Sequence, residues 1–214
     1  MKKALTVFVL LLSALFLSCA TDAEDEFDAS KVCPVSKRGT FVDARDGRVY
    51  KYTTIGDQVW MAENLNYDVE GSHCEYENDC QNRGRRYYVD IAEKSCPAGW
   101  HLPNNEEWFE LFDNVGGRDI AALHLRSSTE WIAIDSRGVP EGNDECGFSV
   151  LPQKTKTNRD GIETRILSSK RGEIQTSSSK TNAGFFIFMG IENQVKGLDD
   201  LIRESCFYVR CVKD

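Results

Sequence analysis

Among its 214 residues the chain has only three histidines, no pair of cysteines separated by two residues, and fewer basic than acidic side chains. The scattered His73, His101 and His124 build neither a Cys/His zinc site nor a Ser/His/Asp or Cys/His catalytic constellation. A formal net charge of -8 would repel phosphate backbones. We therefore expect no metal, no cofactor, no catalytic residue and no nucleic-acid partner.

The sequence also lacks an apolar run that could span a membrane, which takes about 20 residues. The run from Ala4 to Leu17 is shorter and follows two lysines, a pattern typical of a secretory signal peptide, which we assign to residues 1–18. Cys19 directly follows Phe-Leu-Ser, which resembles the lipobox of bacterial lipoproteins with Phe16 in place of the usual Leu. Lipid attachment at Cys19 is expected; the alternative is ordinary cleavage after Ser18 or Ala20.

Bases are absent from residues 20–30, which carry five acids and one aromatic side chain. Such a segment buries too little apolar surface to offset its chain entropy, so we predict a disordered tether over residues 19–38, before a folded domain over 39–214. An acidic run behind a lipid-bearing cysteine is similar to a surface-export signal in some bacteria, and a solvated spacer explains it equally well. The expected location is the outer membrane or cell surface, with a lipid anchor as the membrane contact.

Export makes the cysteines candidates for disulfides, because the compartment is oxidising. Assigning Cys19 to the lipid leaves an odd number, and Cys33 lies outside the patterned region. We expect Cys33 to be an unpaired thiol or part of an intermolecular bridge. The other six allow fifteen connectivities; they are Cys74, Cys80, Cys96, Cys146, Cys206 and Cys211.

Turn signals divide residues 40–65 into a strand meander. Residues that favour strands alternate around Asp46-Gly47 and again around Gly56-Asp57, two dipeptides typical of hairpin turns. Towards the other end of the chain, residues 183–191 are apolar enough for a central strand. Residues 206–213 alternate, with Phe207, Val209 and Cys211 on one predicted face and Tyr208, Arg210 and Val212 on the other.

Helical signals are concentrated between Tyr88 and Gly117. A short helix is predicted to end near Cys96, and a second to begin after Asn104, which can cap the first turn together with Glu107. Four apolar residues then follow at helical spacing before Gly116-Gly117: Trp108, Leu111, Phe112 and Val115. Residues 121–152 are predicted to be loop-rich and 153–182 to form exposed strands and loops, which gives an α+β domain with meeting terminal strands.

Five segments resemble a known family in their order and spacing. They are "GDQVWMAENLNY", a "C…C…GRRYY" segment, "SCPAGWHLPNNEEW", "GNDECGFSVLP" and "YVRCVKD". Over residues 39–214 they are similar to the Fibrobacter succinogenes major paralogous domain, which resembles a branch of the C-type-lectin-like fold shared with formylglycine-generating enzymes. The resemblance implies two helices flanking a small twisted antiparallel sheet, paired terminal strands and long loops.

The resemblance also implies disulfides. Cys96 and Cys211 look like the long-range pair of the lectin-like fold, and Cys74 with Cys80 would close a short local loop. Cys146 with Cys206 then remains.

Function is expected from the same family likeness. The calcium motifs of sugar-binding C-type lectins are absent, although loop acids could supply oxygens or be solvated charges: Asp135, Glu141, Asp144 and Glu145. Formylglycine chemistry needs two reactive late cysteines, and Cys206 and Cys211 would point to opposite strand faces. Four aromatics are either sugar platforms or core: Tyr67, Tyr76, Trp131 and Phe186.

We therefore expect a non-catalytic module that binds polysaccharide or a surface protein, with a purely structural envelope protein as the alternative. Family members often carry a Trp where this chain has Leu167 before Ser168-Ser169. The binding residues are unknown, the search points to the loops between Ser127 and Asn182, and His101 has no firm structural role.

Overall fold

The computed structural model describes residues 27–74, 80–131, 142–152, 163–168, 185–190, 195–198 and 206–214, with the backbone alone described in 163–168, 185–190 and 195–198. Within these ranges the chain combines short helices with two mainly antiparallel sheets, as expected for an α+β protein.

The first sheet has five strands in the described part of the chain. They are β1 (Gly39–Val42), β2 (Val49–Ile55), β3 (Gln58–Met61), β6 (Trp100–His101) and β11 (Val212–Lys213), in the order β1-β2-β3-β11-β6. The turns before β2 and β3 place Gly47 and Gly56 at φ of 74° and 58°. Glycine adopts positive φ without steric cost, so the predicted hairpin turns are confirmed.

The second sheet has six described strands. They are β4 (Ser72–His73), β5 (Arg86–Tyr88), β7 (Glu163–Ser168), β8 (Phe185–Gly190), β9 (Val195–Leu198) and β10 (Cys206–Tyr208), in the order β4-β5-β10-β7-β8-β9. Neighbours are antiparallel except β10 and β7, which pair in parallel through Tyr208 and Ile166. The apolar β8 pairs on both sides, which agrees with the interior strand predicted over 183–191.

The predicted single strand over residues 206–213 is wrong, because β10 and β11 belong to different sheets. The carbonyls of Val209 and Cys211 accept hydrogen bonds from the backbone of Leu65 and Met61, which carries the chain from one sheet to the other. β11 pairs with β3 and β6 and not with β1. The terminal strands therefore share a sheet without being neighbours.

The longest described helix is α4 (Asn105–Asn114), and its predicted start is confirmed. The Asn104 side chain accepts from the Glu107 backbone N–H at 3.0 Å, and the Glu107 carboxylate accepts from the Asn104 N–H at 2.7 Å. Trp108, Leu111 and Phe112 are buried in the larger hydrophobic cluster. Each such side chain contributes about 1.5–3 kcal/mol on burial.

The other described helices are only four or five residues long: α1 (Ala29–Val32), α2 (Cys80–Arg83), α3 (Val89–Ala92) and α5 (Ala121–Leu125). The expected first of two flanking helices is thus reduced to the single turn α3, because β5 takes Tyr88 into the second sheet. α5 lies in a region that was predicted to be loop-rich. Its sequence is too short for a periodic signal, and it is stabilised by burial of Ala121, Ala122 and Leu125.

Part of the predicted tether belongs to the folded domain. Residues 29–32 form α1, Val35–Lys37 forms a 3₁₀ turn, and Phe27, Ala29 and Val32 pack against the larger cluster. The Val32 carbonyl also accepts from Gly56 N–H at 2.9 Å. The folded region therefore begins by residue 27; residues 1–26, with Cys19, lie outside the described residues.

Three disulfides join described cysteines: Cys33–Cys146, Cys74–Cys80 and Cys96–Cys211. The last two coincide with the expected pairs. The expected Cys146–Cys206 pair is wrong, since Cys146 is bonded to Cys33 and Cys206 is a free, partly buried thiol. The error follows from the tether assignment, because α1 brings Cys33 into the core beside Cys146.

Candidate functional site

His101, which the sequence left without a role, joins the first sheet to α4 and to the C-terminus. Its Nε2 lies 2.8 Å from Glu107 Oε1 and its Nδ1 lies 2.6 Å from Asp214 Oδ1. Partial burial disfavours the charged ring, but these two carboxylates outweigh it and raise the pKa of His101. The side chain therefore has a structural contact on both ring nitrogens.

The loop acids considered for calcium do not converge in the described part of the chain. Asp144 accepts from the backbone N–H of Ser149 at 2.7 Å and from its hydroxyl at 2.5 Å, and burial raises the pKa of Asp144. Glu145 lies 3.1 Å from His124 Nδ1. Asp135 and Glu141 lie outside the described residues, and no group of three or more potential metal ligands occurs within them.

Of the four aromatic candidates, Trp131 is a core residue. It is 3% exposed, its Nε1 donates to the Val150 carbonyl at 3.0 Å, and the Arg126 guanidinium lies over its ring. Tyr67 is partly buried, and the Arg45 guanidinium lies 3.9 Å from its ring centre, so one face is covered. Tyr76 and the Phe186 side chain lie outside the described residues, as does the Leu167 side chain.

A polar cleft of about 280 Å³ lies where the start of β2, the segment after β3, α2 and the loop before Pro152 meet. We call it the basic cleft. Its lining includes Arg48–Lys51, Ala62–Asn64, Asn66, Cys80–Gly84, Gly147, Ser149, Leu151 and Arg210. The volume is near the lower limit of about 300 Å³ for small-molecule sites and suits one sugar unit.

Arg210 forms the buried wall of the basic cleft and is 1% exposed. Its guanidinium donates to Asn64 Oδ1 at 2.9 Å, to the Ser149 carbonyl at 3.0 Å and to the Phe148 carbonyl, and it lies over the Phe148 ring. Burial lowers the pKa of Arg210 to about 10, against the opposing charges of Asp144 and Glu63. The side chain remains a cation at neutral pH.

Asn64 connects Arg210 to α2. While its Oδ1 accepts from Arg210, its Nδ2 donates to the Arg83 carbonyl at 2.8 Å. Gly84 follows at φ 77°, and a Cβ there would lie 2.7 Å from Asn64 Cβ. α2 can approach this wall so closely because residue 84 has no side chain. Arg83 itself is held by the Pro152 carbonyl and by Glu130.

The rim of the basic cleft carries side chains that are held only weakly. Arg48 donates to Gln81 Oε1 at 3.2 Å, and Lys51 Nζ lies 3.9 Å from Glu63 Oε1 with a side chain that is 71% exposed. Asn66 is 6% exposed and its backbone N–H donates to the Tyr50 hydroxyl at 2.9 Å. Its side-chain amide makes no hydrogen bond in the described part of the chain and is not among the fully enclosed polar atoms.

The basic cleft was not predicted as a site. Only Gly147–Leu151 falls within the Ser127–Asn182 range to which the sequence pointed, and much of that range lies outside the described residues. The sequence nevertheless contained an indication of the cleft, because four of the five segments that resemble the family contribute residues to its lining. Asn64 and Asn66 come from the first, Gly84 from the second, Ser149 from the fourth and Arg210 from the last.

The family model of the Fibrobacter succinogenes major domain matches residues 53–213, about three quarters of the chain. The chain belongs to this family. No curated protein and no solved structure matches it. The residues matched to the Fibrobacter succinogenes major domain include every lining residue of the basic cleft from Ala62 to Arg210, while Arg48–Lys51 precede them.

Proposed function

We propose that the protein is a non-catalytic binding module of the cell envelope that recognises polysaccharide and supports adhesion. The observation that supports it is the basic cleft, where the weakly paired Arg48 and Lys51 and the Asn66 amide, which has no partner among the described residues, surround a volume suited to one sugar unit. Sugar hydroxyls and carboxylates are acceptors that such donors bind.

A variant of the C-type-lectin-like fold is part of this proposal. In its favour are a sheet shared by the first and last described strands and the disulfide that ties Cys211, just before β11, to Cys96. The main departure is that the described part of the chain has one helix longer than five residues, α4, where the fold is expected to have two.

The proposal also includes export of the protein and a lipid anchor at Cys19. Three disulfides among the described cysteines fit an oxidising compartment. Among the described residues, none of the helices has the length and hydropathy needed to cross a bilayer. Accumulation of an unprocessed precursor in cells treated with globomycin would support the anchor, and normal processing under the drug would refute it.

A purely structural envelope protein is the competing class. The formylglycine-generating alternative would require two free late cysteines, and the bond between Cys211 and Cys96 leaves only Cys206 of that pair as a thiol.

The test is retention of the full-length protein, purified in mild detergent, on cellulose, xylan and pectin, each with and without a calcium chelator. The module predicts saturable retention on at least one polysaccharide. The absence of retention on all three would refute polysaccharide binding and favour the structural alternative.

A further inference from the structure

The charge of the basic cleft contrasts with that of the whole chain. Its lining carries four cations, Arg48, Lys51, Arg83 and Arg210, and one carboxylate, Glu63, whereas the chain has an excess of acids. Since Arg83 is paired with Glu130 and Lys51 is only loosely associated with Glu63, the unbalanced charge lies at the rim and at the Arg210 wall.

The buried charge of Arg210 is stronger evidence for an anionic ligand than the charge at the rim of the cleft. A buried cation is costly unless an opposite charge or a full set of hydrogen bonds compensates it. In the described part of the chain Arg210 donates to one amide and two backbone carbonyls and has no carboxylate within ion-pair distance. A guanidinium has five N–H donors, so the neutral acceptors leave part of its capacity unused, and the charges of Asp144 and Glu63 compensate its own charge only through space and without an ion pair in the described residues.

Asn66 offers a further polar contact in the basic cleft. The residue is 6% exposed and lies in the lining, and its side-chain amide has no hydrogen-bond partner in the described residues. The amide is not among the fully enclosed polar atoms, so it is accessible from the cleft. Its N–H groups can donate to the acceptor oxygens of a ligand.

We propose that the basic cleft binds the carboxylate of a uronic acid unit in an acidic polysaccharide. The carboxylate lies between Arg48 and Lys51 within the field of Arg210, and a ring hydroxyl or the carboxylate accepts from Asn66. The small volume admits one unit of the polymer. The inference rests on the proposed polysaccharide-binding function and specifies the sugar class.

The test measures the affinity of the full-length protein for oligomers of polygalacturonate, for the same oligomers after methyl esterification, and for neutral cello-oligomers. Esterification removes the negative charge and keeps the sugar backbone. We expect binding to polygalacturonate that weakens with added salt, with affinity for the ester and the neutral oligomers lower by about tenfold or more. Free acetate and monomeric galacturonate show whether a carboxylate alone or the sugar unit is recognised.

A pair of variants locates the site. Arg48→Gln with Lys51→Gln should lower the affinity by about tenfold or more. The control, Lys37→Gln with Lys94→Gln, makes the same change in net charge at exposed positions outside the cleft and should leave affinity unchanged. Urea unfolding of both variants checks that they are folded.

Each outcome decides the inference. Equal loss in both double variants would mean that net charge and not the cleft determines binding, which overturns it. Equal affinity for the ester or neutral oligomers would overturn the uronate assignment while leaving the polysaccharide module intact. Binding to none of the oligomers would overturn both. Binding of free acetate as tight as that of galacturonate would replace the sugar ligand by a simple carboxylate.

Discussion

Removal of the Cys33–Cys146 disulfide is expected to lower the free energy of unfolding by about 3–5 kcal/mol. The two cysteines are separated by 113 residues and are 1% and 0% exposed, so the bridge ties the N-terminal segment into the larger hydrophobic cluster. Replacing both with alanine removes the covalent constraint and little volume.

The magnitude follows from loop closure. For a loop of this length the chain-entropy relation gives about 5 kcal/mol at 25 °C. Because Cys96 lies inside the loop and Cys211 outside it, the Cys96–Cys211 bond already restricts the unfolded chain, and the measured loss should fall below that value.

The assay is urea unfolding followed by tryptophan fluorescence in non-reducing buffer, comparing the Cys33→Ala, Cys146→Ala double variant with Cys206→Ala. Cys206 is a free thiol, so its replacement should leave the three disulfides and change stability by less than about 1 kcal/mol. A large loss in the Cys206 variant, similar to that in the double variant, would refute the pairing and restore Cys146 with Cys206, because both variants would then lack that bridge.

Three further changes test other parts of the structure. Asn104→Ala should destabilise the protein by about 1 kcal/mol in urea unfolding, because it removes the first-turn cap of α4, while Glu106→Ala, exposed in the same turn, should cost less. Arg210→Met should cost about 3–5 kcal/mol, since three acceptors lose their donor, and Arg210→Lys should not rescue it; a neutral effect would contradict the buried contacts. The raised pKa of His101 means that its contribution is complete below about pH 6.5 and declines as pH rises through the folded value. His101→Gln should therefore remove part of the fall in stability above that pH, as measured by urea unfolding over a range of pH.

Local signals were enough to predict the elements whose causes are local. The cap of α4 depends on Asn104 and Glu107, three residues apart, and the hairpins depend on glycines that adopt positive φ. The helix cap and the hairpins could therefore be predicted without knowledge of any tertiary contact.

The docking of the N-terminal segment and the change of sheet near the C-terminus could not be predicted, because both depend on contacts between distant segments. The acidic composition of residues 20–30 predicted a disordered tether, although Phe27 and Val32 pack against the hydrophobic cluster. For this reason Cys33 was not predicted to be the partner of Cys146. Alternation over residues 206–213 could not show that the chain changes sheets at Val209–Cys211, because both faces there are buried.

The basic cleft could not be predicted from the sequence for a similar reason. In the sequence Arg210 has the pattern of an ordinary strand residue, and its hydrogen-bond partner Asn64 lies 146 positions earlier in the chain. Only folding brings the two together, beside α2 and the Ser149 loop. No spacing rule links residues that meet in this way.

The most direct test of the central claim, that the basic cleft is the ligand site, is chemical-shift mapping of the isotope-labelled full-length protein during titration with polygalacturonate oligomers. The account predicts that the side-chain amide of Asn66 and the guanidinium signals of Arg48 and Arg210 shift and saturate together, while the indole signal of the buried Trp131 does not. Saturating binding that leaves the Asn66 and Arg210 signals unchanged would contradict it.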